Sequence, residues 1–220
     1  DDHALVNRAR MMDICRDIIS RNISVTLGCL GTPCSADPQT LELMARAGFR
    51  GIHFGAETGT QRMLNVLGKR SSPAAIRGAV KTARACGMRV RTSWIMDAPG
   101  ISENDLAETL QLILDLEPEE IRAHFFTLRA ETPFAAEMGT PGRIPDQYIH
   151  AGAPHPGHQA LPAGIMLPYL DDLASELRSR RYLVIRDTKS WRTLTEVGAG
   201  RADLRFISFC PGRYGLGWSL

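Results

Sequence analysis

Gly48 to Lys69 reads GFRGIHFGAETGTQRMLNVLGK. Gly48 closes an apolar-periodic segment and is placed to stop a helix, because glycine takes the left-handed stop without a Cβ penalty. A strand follows. In it Ile52 and Phe54 point one way, and His53, Gly55 and Glu57 the other. The strand ends at Glu57-Thr58-Gly59-Thr60, and a short helix from Gln61 to Leu67 is stopped by Gly68. An acid beside glycines at the carboxyl end of a parallel strand stands where α/β folds bind ligands. Glu57 is therefore the first candidate site residue.

The same grammar extends in both directions. Upstream, the spacing predicts a helix over Ala4–Ser20, a short strand over Ile23–Leu27, and a helix opened by Asp37-Pro38. Downstream, Ser72-Pro73 opens a helix with Ile76, Val80 and Ala83 inward, and Gly87 ends it. A strand follows over Arg89–Met96, with Val90, Thr92 and Trp94 alternating against Arg91 and Ser93. Ser102 and Asp105 have capping-box spacing before a helix carrying Leu106, Leu110, Ile113 and Leu114. Pro118 breaks that helix, and Ile121–Leu128 is the next strand. Repeated strand–helix units predict a parallel sheet with right-handed crossovers. Periodicity leaves both a barrel and an open doubly wound sheet available.

After Gly139 the texture changes. Pro141, Pro145, Pro154, Pro156, Pro162 and Pro168 mark a long irregular connection. Helices are predicted over Leu167–Arg181 and Lys189–Val197, before an aromatic, glycine-rich tail. The expected division is residues 1–139 and residues 140–220, the second a mostly α extension.

Composition narrows the class. The chain has 220 residues, 44% of them hydrophobic, enough for one large core. A net charge of +2 exerts no strong pull on nucleic acid or anionic membrane. No apolar run approaches the roughly 20 residues a membrane span needs, and no signal peptide is expected. Five cysteines, an odd number at scattered spacings, argue for a reducing cytoplasm rather than a disulfide framework. The first residue is Asp1, so a piece of a longer protein is expected.

Gly55 to Lys69, GAETGTQRMLNVLGK, resembles the radical S-adenosylmethionine enzymes, whose pattern here is G-x-E-[ST]-G-[ST]-Q-x-x-L followed by lysine. Two further segments agree in order. Ala85–Val90 through Trp94–Gly100 looks like that family's fifth strand and Pro-Gly turn, with Glu108-Thr109 in the helix after it. Phe126–Pro133 looks like its sixth strand. Asp1-Asp2 resembles the aspartate pair after the second strand. The resemblance covers about Asp1 to Met138. It implies a partial (β/α)6 TIM-like barrel of which strands three to six are present. It also implies a [4Fe–4S] cluster that reduces S-adenosylmethionine to a 5′-deoxyadenosyl radical, a small-molecule substrate, and an electron donor such as flavodoxin or ferredoxin. The combination of this Glu57–Gln61 pattern with a long C-terminal extension most resembles the cobalamin-binding branch, which makes cobalamin a further expected cofactor.

Departures are equally specific. The cluster motif C-x-x-x-C-x-x-C is absent, and Cys29 and Cys34, inside CLGTPC, have the wrong spacing and are one ligand short. They read as structural or incidental thiols, with the cluster ligands expected before Asp1 and this segment alone inactive. Asp97 and Glu131 stand where the family usually has glycine. Two other readings stay open: a degenerate, non-catalytic barrel, and an unrelated TIM-barrel lyase or isomerase.

By resemblance, Glu57 makes polar contact with S-adenosylmethionine. A carboxylate accepts hydrogen bonds from an ammonium or ribose hydroxyls. Arg91 and Ser93 share one face of the fifth strand, where Arg91 has the geometry to clamp the ligand's carboxylate. These three are the expected cofactor contacts. No catalytic residue is assigned and no metal ligand is expected. His53 lies on the Glu57 face and reads as a hydrogen-bonded core histidine. Arg122, His124 and Arg129 are candidate substrate contacts, and Asp97 a candidate helix cap. His150, His155 and His158 lack the rigid spacing of a zinc site, and Trp191 and Trp218 read as packing residues.

Overall fold

A computed structural model describes residues 3–128, 149–150, 161, 163–185 and 204–209. Asp1-Asp2, Arg129, Glu131, His155, His158, the helix predicted at Lys189–Val197, Trp191, Cys210 and Trp218 lie outside them. The chain divides into two compact units, Asp1–Trp94 with Glu108–Arg122, and Ile95–Ala107 with Ala123–Leu220.

From residue 8 to residue 124 the elements, which lie wholly or largely in the first unit, alternate as the glycine and proline punctuation predicts. They are α1 (Arg8–Ser20), β1 (Leu27–Gly31), α2 (Pro38–Arg46), β2 (Phe49–Glu57), α3 (Gln61–Val66), α4 (Pro73–Ala85), β3 (Arg89–Ile95), α5 (Glu103–Leu116) and β4 (Glu120–His124). The helix starts are chemically specified. Asp37 accepts the Thr40 N–H at 3.0 Å and Ser72 accepts the Ala75 N–H at 3.1 Å, each with proline in the first turn. Strand order is β1-β2-β3-β4, and β1, β2 and β3 run parallel, with Leu30 opposite His53 and His53 opposite Arg91.

The first strand corrects the prediction of Ile23–Leu27. It starts at Leu27 and runs through two glycines to Gly31. Ile23 is instead spent on closing α1. Asn22 takes φ 52°, and the Ile23 N–H returns to the Ile18 carbonyl at 3.0 Å, a left-handed helix stop without glycine. Ile23 and Val25 are left exposed. The glycines of β1 look like breakers in sequence, but Gly28 faces Gly51 across the pair, and Leu5 lies over Gly31 where a Cβ would sit. Gly48 does stop α2, at φ 104°. A Cβ there would also lie 2.2 Å from the Val25 carbonyl oxygen, so the position admits glycine for two reasons.

One face of the sheet is a dry core. Ile52, Phe54, Ala56, Val90, Thr92, Trp94 and Ile121 are buried, as are Leu41, Met44, Ile76, Val80, Ala83, Leu110 and Ile113 of the helices. Trp94 is completely covered, and its indole N–H donates to Thr92 Oγ1 at 2.9 Å. Each such large side chain contributes about 1.5–3 kcal/mol through burial. The other face is polar and half-exposed: His53, Gly55 and Glu57 on β2, Arg89, Arg91 and Ser93 on β3, Glu120 and Arg122 on β4. Parallel sheets ordinarily read apolar on both faces. A polar second face is therefore the part of this unit whose residues packing does not explain.

In the second unit, Ser102 and Asp105 form the predicted capping box. The Ser102 N–H donates to Asp105 Oδ2 at 2.9 Å and the Asp105 N–H to Ser102 Oγ at 3.2 Å, so aspartate serves where glutamate is usual. Asp97 is fully buried and accepts the Phe126 N–H, past the end of β4. Thr127–Leu128 (β5) pairs antiparallel with Ile149–His150 (β6), which shortens the strand predicted over Ile121–Leu128. The expected helix of the extension is α6 (Ala163–Ser179), four residues earlier than predicted because Pro168 sits inside it. Its buried residues are Met166, Leu170, Leu173, Ala174 and Leu177. Two strands that periodicity did not reveal, β7 (Leu183–Ile185) and β8 (Phe206–Phe209), pair in parallel. All four residues of β8 are buried, so no alternation marks it.

Candidate functional site

The carboxyl end of β2 is built around a strained residue. Glu57 has φ 66°, and the Thr58 N–H donates to the Ala56 carbonyl at 2.8 Å. A three-residue hydrogen-bonded turn centred on positive φ is the rare, strained form of γ-turn. Register with β3 slips at this point: Gly55 pairs with Ser93 and Glu57 with Trp94. Such outliers persist only where surrounding structure enforces them, and they concentrate at functional sites. The effect is to carry the Glu57 side chain back over Gly55. A Cβ on Gly55 would lie 2.9 Å from Glu57 Oε1. Glu57 Oε1 also accepts from Lys69 Nζ at 2.9 Å, and the side chain keeps 18% of its surface exposed.

The following loop is committed residue by residue. Thr109 of α5 accepts the Gly59 N–H at 2.8 Å and shares a hydrogen bond with Thr58 Oγ1 at 3.1 Å. Gly59 lies so close that a Cβ would stand 2.5 Å from Thr109 Cα. Thr60 caps α3 through the Met63 N–H, and Gly68, at φ 64°, ends it. The Lys69 N–H then returns to the Leu64 carbonyl at 2.8 Å, the paired-bond helix stop that delivers Lys69 to Glu57. Thr109 and Lys69 were not foreseen as site residues. The signal for Lys69 was its place directly after a helix-stopping glycine on the same motif as Glu57.

Ser93 sits opposite side-chain-free Gly55, at the same end of the face as Glu57. Arg91 is two residues deeper. Its Nε–H donates to Glu120, and Arg89 Nε lies 3.4 Å from the other oxygen of that carboxylate. His53 pairs with Arg91 in register and lines, with Arg89, Arg91 and Glu120, a cavity of about 1030 Å³. That cavity does not reach Glu57 or Ser93. The three expected contacts thus share a face but fall into two groups, Glu57 and Ser93 at the strand ends and Arg91 in the deep cluster. Arg122 lies on the same face of β4, and His124 gives its carbonyl to the Met96 N–H at 2.9 Å.

Residues 2–113 match the family model of the Radical SAM superfamily. The chain belongs to that superfamily. It is similar to the anaerobic magnesium-protoporphyrin IX monomethyl ester cyclase of Synechocystis, 26% identical over 136 residues, which is 61% of this chain and 27% of that protein. The cyclase of Cereibacter sphaeroides is 22% identical over 142 residues, 63% of this chain and 23% of that protein. The chain thus spans about a quarter of the length of these relatives. Among solved structures, the S-adenosylmethionine methyltransferase TsrM of Kitasatospora setae overlays at a TM-score of 0.57 with 18% identity, covering 63% of this chain and 29% of that one. The coproporphyrinogen III oxidase HemN of Escherichia coli overlays at 0.60 with 16% identity, covering 81% and 38%. These likenesses carry the fold: β1 to β4 are strands three to six of a partial (β/α)6 barrel.

A radical SAM protein needs three thiolates for its cluster, and the described thiols do not fit that task. Cys15 is buried in α1, Cys29 half-buried in β1, Cys34 exposed, and Cys86 half-buried after α4. Burial, with Cys15 beside it, pushes the Cys29 thiol up to about 11. Burial raises Cys15 as well, and burial followed by the Glu42 charge raises Cys86. Among the described residues no group of three or more His, Cys, Asp or Glu is placed to hold a metal ion, and no helix is long and apolar enough to cross a membrane.

Proposed function

We propose that this chain supplies the S-adenosylmethionine-binding strand ends of a radical SAM enzyme acting on a small organic molecule. The observation that carries the reading is the strained turn at Glu57, which holds a partly exposed carboxylate over Gly55, the register partner of Ser93. Glu57 Oε1 is engaged by Lys69. A carboxylate has about four lone-pair sites, so Glu57 retains acceptor capacity for ribose hydroxyls or an ammonium. Ser93 adds a hydroxyl at the same level. Arg91 lies two residues deeper on the face, in the cluster with Glu120, outside this pair. S-adenosylmethionine, when bound and reductively cleaved, supplies the carbon radical that takes hydrogen from the substrate.

The finer reading is a cobalamin-dependent enzyme of methyl transfer or ring formation, cytoplasmic and reduced by a flavodoxin or ferredoxin. It is supported by the relatives' activities, cyclase and methyltransferase, and by the cobalamin and [4Fe–4S] cluster bound in TsrM. A second reading is a barrel that binds S-adenosylmethionine without cleaving it.

The test uses the whole protein encoded by the reading frame that contains these residues, purified without oxygen. S-adenosylmethionine binding and reductive cleavage are both expected. Glu57→Gln should weaken binding by about tenfold to a hundredfold, the loss of one hydrogen bond to a charged group. Binding without cleavage selects the second reading. Binding that is indifferent to Glu57→Gln sinks the site assignment.

A further inference from the structure

The deep end of the open face has the chemistry of an oxyanion site. Two guanidiniums share one carboxylate there: Arg89 Nε lies 3.4 Å from Glu120 Oε1, and Arg91 Nε donates to Glu120 Oε2. The cluster keeps a net positive charge even with His53 neutral. Among the described residues, the recorded bond of Arg91 uses Nε, which leaves both Nη groups of a five-donor fork for another partner. Arg89 and Arg91 keep 27% and 35% of their side-chain surface exposed, and both line the cavity of about 1030 Å³. Beside them the floor is bare. Gly28 and Gly51 are register partners, and a Cβ on either would find its nearest neighbour at 3.7 Å. A concave site with a net positive charge focuses its field on an anionic ligand.

We propose that Arg91 and Arg89, with His53 alongside, bind a carboxylate or other oxyanion carried by the substrate, an inference that rests on the groove being that of a radical SAM enzyme. Arg91 is thereby assigned to the substrate rather than to the cofactor's carboxylate. Depth supports this assignment. His53 precedes Glu57 by four residues, about 13 Å at strand rise, so the anion lies a small molecule's length below the cofactor contacts. Glu120 occupies one edge of the guanidiniums and competes with the ligand for them. A planar fork is what bidentate recognition of an oxyanion requires.

The experiment titrates the whole protein with succinate and with inorganic phosphate as probes, and separately with S-adenosylmethionine. Wild type should bind at least one anion, and the preferred anion distinguishes a carboxylate from a phosphate group. Arg91→Met should weaken that anion about tenfold or more while leaving S-adenosylmethionine affinity within about twofold. Glu120→Gln, nearly isosteric, should strengthen it by removing the competitor, and this second variant reads out even if Arg91→Met does not fold. Absence of anion binding in wild type overturns the proposal. So does an Arg91→Met protein that loses S-adenosylmethionine but not the anion, or weaker anion binding in Glu120→Gln. Anion binding with these variant responses, in a protein that does not bind S-adenosylmethionine, keeps the site and overturns the parent reading instead.

Discussion

The two ends of the open face are held in place by different means. At the mouth, backbone does the positioning: Glu57 sits at positive φ in a tight turn, Gly59 lies hard against α5, and Thr109 takes up the loop's polar groups. At the deep end the strands are regular, and long side chains do the work, two arginines arranged on Glu120. Backbone-set groups have little freedom to adapt, which suits a fixed cofactor. Long side chains adjust to their partner, which suits a variable one. Substitutions that break the packed loop at the mouth should therefore cost fold and binding together, and those at the deep end should change binding with little effect on the fold.

The largest expected effect breaks the mouth. Gly59→Val forces side-chain atoms into the backbone at Thr109 and should cost about 3 kcal/mol, read from denaturant unfolding of the whole protein. A cost below about 1 kcal/mol would show that the loop can lift off α5. Thr109→Val keeps the shape and removes the acceptor of the Gly59 N–H, for an expected loss of about 1–3 kcal/mol in the same measurement.

Glu57→Gly separates strain from function. Relief of positive φ should leave the protein no less stable, by about 1 kcal/mol in its favour, while S-adenosylmethionine binding is lost. If stability falls instead, Glu57 holds the fold rather than a ligand. Lys69→Met should produce a smaller change. The ion pair is partly exposed, so stability should move by less than about 1 kcal/mol, and thermal unfolding checks it.

The smallest effect is a pH dependence. The Cys29 thiol is raised from 9.0 to about 11 by burial and then by Cys15, so folding favours its protonated form. The resulting stability is complete below pH 9 and is lost as pH rises through the window to about 11. Melting temperatures measured across that window should fall less steeply in Cys29→Ala. An unchanged slope would show that the thiol is solvated.

Much of this was legible along the chain, because capping residues, helix-stopping glycines and alternation act over three to five residues. Asp37, Ser72, Gly48 and Gly68 announced their helices, and the motif from Gly55 to Lys69 announced the family. β1 was misplaced because its glycines look like breakers until Gly28 meets Gly51. β8 was missed because a strand buried at every position has no period.

The sequence by itself determined the alternation of strands and helices, the superfamily, and that Glu57 ends a strand on the polar face. Only tertiary structure decided that Glu57 is strained, that Lys69 and Thr109 fix its surroundings, and that Arg91 belongs with Glu120. The reason is physical: helix caps and strand faces are set by neighbours in the chain. A side chain's partners, in contrast, are set by strand register, which brings Arg91 to Glu120 across 29 positions, and by helix packing on a loop, which brings Thr109 to Thr58 across 51.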